Sequence, residues 1–328
     1  MIEVEPLPKG RYLLGFSGGV DSSALFFLLL ERGVEFDIAI IDYGMREQSK
    51  EEVEYAQNLA KKYAKKCFHA QAPKFQSNFE SQAREFRYRF FSKVIAEFAY
   101  EGLLLAHQLD DRVEWMMMQF CKGTGLNTLL GFDFVEVREG FKIYRPLWKV
   151  SKKQLYKYCQ DQEVKYFEDC SNYADKYTRN QFRGAISSLP INSASGMIRS
   201  FDLLMQERDR LYPKVKPCFF GSITSYKRED EERDMHQIDL WLKREGYVLS
   251  FAQRKEILKS NFSCEIAKQW VIERDVRRIY LAKKVEAILP KDFKDLMRRL
   301  KVPHKIRPNI FLDSKSHEEI KNFFIRLC

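Results

Sequence analysis

The chain has 328 residues, about twice the ~100–200 usual for one domain, so two domains are predicted. With 45% hydrophobic residues, 26 Phe and 16 Tyr, it carries enough apolar material for a packed core, which excludes a mainly disordered chain. Lys and Arg number 56 against 46 Asp and Glu, a formal net charge of +10, and the excess is uneven. From Ser193 onward there are 29 basic and 20 acidic residues, against 27 and 26 before it. A near-neutral first half beside a basic second half suits small-molecule chemistry next to a polyanion-binding surface, although a merely solubilising surface reads the same.

The first half alternates short apolar runs with helical patterns, the signature of a parallel sheet with crossover helices. Arg11–Phe16 reads as a buried strand and Ser22–Glu31 as a helix. Asp37–Asp42 is a second strand, followed by helices near Lys50–Lys65 and Asn78–Tyr100. Leu103–Ala106 is a strand, Asp110–Cys121 a helix, Lys142–Leu147 a short strand and Ser151–Gln162 a helix. Leu189–Gly196 concentrates Pro, Ser, Asn and Gly and is the best linker, leading into a connecting helix at Ile198–Leu211. Beyond it, Lys227–Asp234 reads as a solvated loop or helix face. Helices follow at Met235–Glu245 and Phe251–Lys259, with β-like pieces at Arg278–Ala282 and Ile310–Leu312. The predicted boundaries are 1–190 for the sheet domain, 191–213 for the linker and connecting helix, and 214–328 for the basic domain.

No apolar run exceeds the seven residues Ala24–Leu30, far below the ~20 that span a bilayer, so no membrane association is expected. The start, MIEVEPLPKG, has no basic-then-apolar signal pattern, which predicts a cytoplasmic protein. Seven cysteines with no C-x-x-C pair argue against a disulfide framework, a zinc ribbon or a cysteine-ligated cluster.

The chemistry concentrates in Ser17-Gly18-Gly19-Val20-Asp21-Ser22-Ser23, between the first strand and the first helix. A glycine pair there lets the backbone turn sharply and aim its N–H groups at an anion, with the helix dipole and serine hydroxyls adding to the field. The lysine of a Walker A loop is missing, and the pattern is not G-x-G-x-x-G. An Asp inside a phosphate cradle needs a cation between the two negative charges, and Mg²⁺ is the hard, oxygen-seeking choice, which makes Asp21 the predicted metal ligand. The bland alternative is a Ser/Gly turn with Asp21 as a helix cap.

This loop resembles the S-G-G-x-D-S pyrophosphate loop of the ATP pyrophosphatase superfamily, whose members cleave ATP between the α and β phosphates. Further stretches narrow the resemblance. They are Ile41-Asp42-Tyr43-Gly44-Met45-Arg46, Ala83-Arg84-x-x-Arg87-Tyr88 and Ala106-His107-Gln108-Leu109-Asp110-Asp111-x-x-Glu114. After them come Lys122-Gly123-Thr124-Gly125, Arg145-Pro146-Leu147, Glu168-Asp169-Cys170-Ser171-Asn172 and Arg179-Asn180-x-x-Arg183. In this order they are similar to the tRNA(Ile)-lysidine synthases, over about residues 11–185.

That resemblance implies a fold class: α/β, a Rossmann-like parallel sheet with helices on both faces (adenine nucleotide alpha hydrolase-like), plus a smaller mixed α/β C-terminal domain. It implies ligation of lysine to C2 of the wobble cytidine of a tRNA(Ile) with CAU anticodon, through an adenylated tRNA, with release of pyrophosphate and AMP. ATP and Mg²⁺ are the implied cofactors; the tRNA and free lysine are the partners, with a homodimer among the open oligomeric states. Ser17, Gly18, Gly19, Val20, Asp21 and Ser22 would hold ATP. Asp21, His107, Asp110 and Asp111 would carry catalysis.

Glu114, one turn past Asp110 on the same helix face, is a candidate for lysine contact. His107 or a neighbouring carboxylate could remove the lysine's proton, and either choice stays open. Arg84, Arg87, Arg179 and Arg183 are spaced to share helix faces in pairs and would grip phosphates; Lys122 would touch the substrate. Surface salt bridges, helix caps and turns explain the same residues more plainly. Tyr43 and Lys122 stand where the family usually has His and Arg. A sulfur-delivering enzyme of the same superfamily, a glutamine-dependent ligase and a non-catalytic RNA-binding protein on this scaffold are the competing readings.

Overall fold

The computed structural model describes residues 2–44, 48–75, 79–138, 140–168, 182, 184, 194–213, 215–314, 318–320 and 322. The chain divides into two compact units, Met1–Gln206 and Glu207–Cys328.

In the first unit a six-stranded sheet is built from β1 (Arg11–Gly15), β2 (Glu35–Asp42), β3 (Cys67–Gln71), β4 (Gly102–Leu104), β5 (Val135–Arg138) and β6 (Phe141–Tyr144). Their spatial order is β3-β2-β1-β4-β6-β5, parallel except for β5, which forms an antiparallel hairpin with β6. The helices are α1 (Val20–Glu31), α2 (Gln48–Lys62), α3 (Phe79–Phe98), α4 (Leu109–Cys121), the single turn α5 (Leu126–Leu129) and α6 (Lys152–Asp161). Last comes α7 (Ala194–Leu211), which runs past the division at Gln206.

Period-2 alternation distributes the strand side chains to the two faces. Tyr12, Leu14, Phe36, Ile38 and Ile40 join α1 and α2 in one core cluster. Leu13, Ala39, Leu103 and Ile143 join Tyr88, Phe91, Val94 and Ile95 of α3 in another. Both faces are therefore covered by helices, as a parallel sheet requires. Helix α6 starts where Ser151 and Gln154 form a reciprocal capping box. It packs against α1 through buried Leu155 and Cys159.

The second unit is a five-stranded antiparallel sheet of order β7-β8-β11-β10-β9: β7 (Cys218–Phe220), β8 (Ile223–Lys227), β9 (Cys264–Ile266), β10 (Trp270–Arg274) and β11 (Arg278–Lys283). Trp270, Ile272, Ile279 and Leu281 face α8 (Glu231–Arg244) and α9 (Phe251–Lys259). Val271, Tyr280 and Ala282 face α10 (Lys291–Arg299) and α11 (Arg307–Asp313). Trp270 and Tyr280 are thus core residues.

Ile310–Leu312 is helical rather than β-like: Pro308 opens α11 with its N–H already dispensable, and Ile310 packs inward. A three-residue apolar run carries no period that could separate strand from helix. Strand β6 stops at Tyr144, before Pro146 removes a ladder donor. Among the described residues no helix is long and apolar enough to cross a membrane.

Candidate active site

The sheet order places a switch point between β1 and β4. From β1 the chain steps to β2 and β3 on one side, while β4 pairs with the other. Open α/β sheets bind ligands in the crevice at the carboxyl ends of such strands. The Ser17–Ser23 turn follows β1, and the His107 segment follows β4.

The turn is held by its own polar atoms. Ser17 N–H donates to Ser22 Oγ at 3.2 Å, and Ser22 Oγ–H donates to the Gly19 carbonyl at 3.1 Å. Gly18 sits at φ +76°, a left-handed conformation that side chains with a Cβ resist. Its carbonyl accepts the Phe167 N–H at 2.9 Å, and a Cβ on it would lie 3.3 Å from the Phe167 ring. Gly19 is the N-cap of α1 and supplies no side-chain cap, so an anion seated there would meet the positive end of the helix dipole. Ser17 is exposed, and Gly19 and Asp21 are half-buried. Lys152 Nζ lies 3.8 Å from Asp21 Oδ2.

Beyond β4, Gln108 caps α4 in a reciprocal box in which Asp111 Oδ2 accepts the Gln108 N–H at 3.1 Å. Asp110 Oδ2 accepts the Lys152 N–H at 2.8 Å, tying the start of α4 to the start of α6. Glu114 is 3% exposed on α4. Arg112 is fully buried, its guanidinium 4.5 Å from the Trp148 ring and 4.0 Å from the Phe201 ring.

His107 stacks near Phe132 and accepts a hydrogen bond at Nδ1 from Arg145 Nε, 3.3 Å away. Arg145 is 3% exposed; it also donates to the Asp133 carbonyl at 3.0 Å and pairs with Glu136. A guanidinium donating to Nδ1 leaves that nitrogen without a proton, so the neutral ring carries its hydrogen on Nε2. His107 is therefore set up as a donor.

On α3, Ala83 and Tyr88 are buried while Arg84 and Arg87 stay exposed. Arg87 Nε donates to the Tyr43 hydroxyl at 3.0 Å, and Arg84 lies 5.1 Å from the Tyr88 ring. Lys122 is exposed at the C-cap of α4, and Gly123, at φ +71°, ends that helix. Arg179, Arg183, Met45, Arg46 and the stretch Asp169–Asn172 lie outside the described residues. Sequence reasoning passed over Arg145 and Lys152. Arg145 stood in a quoted motif, and Lys152 follows directly on the Ser151 capping signal.

These features define a pyrophosphate-loop nucleotide-binding protein, and the model of the PP-loop domain family matches residues 2–189. A tRNA(Ile)-lysidine synthase of Helicobacter pylori strain 26695 is 45% identical over 326 residues, 98% of this chain and 96% of its own. One from Wolinella succinogenes is 44% identical over 313 residues, 94% of this chain and 95% of its own. The chain belongs to the tRNA(Ile)-lysidine synthase family. Among solved structures, the U34-tRNA thiolase NcsA from Methanococcus maripaludis superposes with a TM-score of 0.51 at 18% identity. It covers 61% of this chain and 74% of its own, a likeness of fold alone.

Proposed function

We propose that this enzyme joins free lysine to C2 of the wobble cytidine of a tRNA(Ile) with CAU anticodon, converting ATP to AMP and pyrophosphate. The observation that carries the reading is the Ser17–Ser22 turn at the switch point of the sheet, in a chain of this family. The C2 oxygen of the base attacks the α phosphorus, and the bond to the leaving diphosphate breaks. The amine of lysine then attacks C2 and expels AMP.

The backbone of Gly18 and Gly19 and the start of α1 take the phosphates, where the helix dipole favours anions. Among the described residues no three His, Cys, Asp or Glu side chains gather into a metal cage. Mg²⁺ in nucleotide sites needs only one or two carboxylates beside the phosphates, so Asp21 at the start of α1 fits as its protein ligand. When bound, Mg²⁺ neutralises phosphate oxygens that would otherwise repel Asp21.

Lysine arrives as a cation, and Asp111 and Glu114, three apart on α4, hold its ammonium. One of these carboxylates takes the proton, because the Nδ1 of His107 is already occupied by Arg145. His107 offers its Nε2–H to the reacting base. Arg84, Arg87, Arg179 and Arg183 meet phosphates, Lys122 meets the substrate, and the basic second unit grips the tRNA so that the cytosine can be splayed out. The enzyme works in the cytoplasm, where its tRNA and lysine are found.

A sulfur-delivering reaction fits less well. Such enzymes use catalytic or cluster-ligating cysteines, often as C-x-x-C, and the sequence has no C-x-x-C pair. Supplying radiolabelled lysine or a labelled sulfur donor to tRNA with ATP and Mg²⁺ separates the two. Lysine incorporation into CAU-anticodon tRNA is expected; sulfur incorporation would overturn the reading.

A further inference from the structure

The phosphate-binding turn, SGGVDSS, contains no cation, yet it must receive a highly charged leaving diphosphate beside a carboxylate. A Walker A loop solves this with a lysine of its own. Here a lysine arrives from a helix 131 residues further along the chain: Lys152 Nζ stands 3.8 Å from Asp21 Oδ2, with both side chains little more than a quarter exposed.

The placement of Lys152 runs against local preference. Positions one and two of α6 are Lys152 and Lys153, and the first turn holds no acidic residue. Cations at a helix N-terminus oppose the dipole, so helix stability gives no reason for them. The position is nonetheless held firmly. Ser151 and Gln154 cap the turn reciprocally, and Asp110 Oδ2 accepts the Lys152 N–H at 2.8 Å. Leu155 and Cys159 anchor the helix in the core shared with α1. The backbone is fixed and the ammonium is on a flexible stem, loosely paired at a distance near the limit for an ion pair. Such a pair exchanges readily when a stronger anion arrives.

We propose that Lys152 is a catalytic residue that leaves Asp21 for the leaving diphosphate when ATP binds, supplying from α6 the phosphate lysine that the turn lacks. It remains protonated throughout: the α phosphorus gains its bond to the base oxygen, the bond to the diphosphate breaks, and Lys152 neutralises the charge left on the departing oxygen. Asp110 then is a positioning residue, acting through the Lys152 amide rather than on substrate. The proposal rests on the adenylation reading but is testable apart from it.

The test compares Lys152→Met, Lys152→Arg and Asp110→Asn with the unaltered full chain, after thermal melts establish folding. Calorimetric binding of inorganic pyrophosphate with Mg²⁺ requires no turnover. Lys152→Met is expected to weaken it by about tenfold, with Lys152→Arg restoring most of the loss. In pyrophosphate release with CAU-anticodon tRNA, Lys152→Met should lower kcat by about 10²-fold. The KM for lysine should stay unchanged, and Asp110→Asn should show a smaller defect of the same kind that vanishes in the Lys152→Met background. Unchanged pyrophosphate binding in Lys152→Met, or a raised lysine KM in either variant, would overturn the proposal. Failure of the unaltered enzyme to release pyrophosphate would instead count against the adenylation reading.

Discussion

Replacing Arg145 by Met keeps the length of the stem and removes the guanidinium that ties the loop after β4 to β6 and β5. The side chain is 3% exposed and donates to two uncharged acceptors, His107 Nδ1 at 3.3 Å and the Asp133 carbonyl at 3.0 Å. Hydrogen bonds from a charged donor are worth ~1.5–3 kcal/mol each. Its pair with Glu136 adds less than about 1 kcal/mol, because that carboxylate is 42% exposed and screened. Methionine needs no charge desolvated, which returns part of the loss, so a net destabilisation of about 3 kcal/mol is expected. For a unit of about 200 residues this lowers the melting temperature by roughly 6–12 °C. The assay is a calorimetric melt of the full chain, following the transition of the first unit, paired with pyrophosphate release. His107 loses the contact that sets its proton on Nε2, so the rate should fall even at temperatures where the variant is folded. A shift under about 2 °C together with an unaltered rate would refute the reasoning that Arg145 holds both the loop and the histidine.

Further outcomes follow from the same geometry. Asp21→Asn should abolish adenylation while tRNA affinity, read by filter binding, stays near normal; AMP formation at the usual rate would remove Asp21 from its role. Burial lowers the pKa of His236 to about 4, and its ring stacks 4.4 Å from Tyr212. Asp239 opposes that shift, whereas Lys243, Arg208 and Arg254 add to it. The unfolded histidine binds its proton near pH 6.5 and the folded one resists until about pH 4. The second unit should therefore lose stability as pH falls through that window, by roughly 1–2 kcal/mol once partial exposure is discounted. Urea midpoints at pH 7 and pH 5 check this, and His236→Phe should flatten the dependence. Replacing exposed Lys227 and Arg277 by Ala should weaken tRNA binding and reduce its salt slope, with ATP affinity unchanged. An unaltered slope would place the phosphate contacts elsewhere.

The order of strands and helices in the first unit was readable because its central strands are buried on both faces. RYLLG and EFDIAIID are near-continuous apolar runs, and such runs stand out in any chain. The edge strand β3 was not readable: CFHAQ is half-exposed, so it needs no apolar pattern and shows none. Strand β5, VEVR, does alternate, but it is only four residues long and turns Val135 and Val137 outward, so its pattern announces no buried face. The two aspartates after His107 announced chemistry, yet their contacts came as a surprise. Asp111 caps its own helix, and Asp110 caps a different one.

What sequence alone determined is local: a glycine turn between a strand and a helix, a helical pattern over Ser151–Gln162, and an acidic stretch opening α4. Each is set by backbone geometry and neighbours within a few positions, so a short window contains its cause. Which of these meet was decided only by the folded chain. Parallel pairing sets β1 beside β4, crossovers bring α6 against α1, and Lys152 reaches Asp21 across 131 positions. Burial is likewise collective: Arg145 and Arg112 look like surface cations in the letters, and only the packing of several elements takes them out of water.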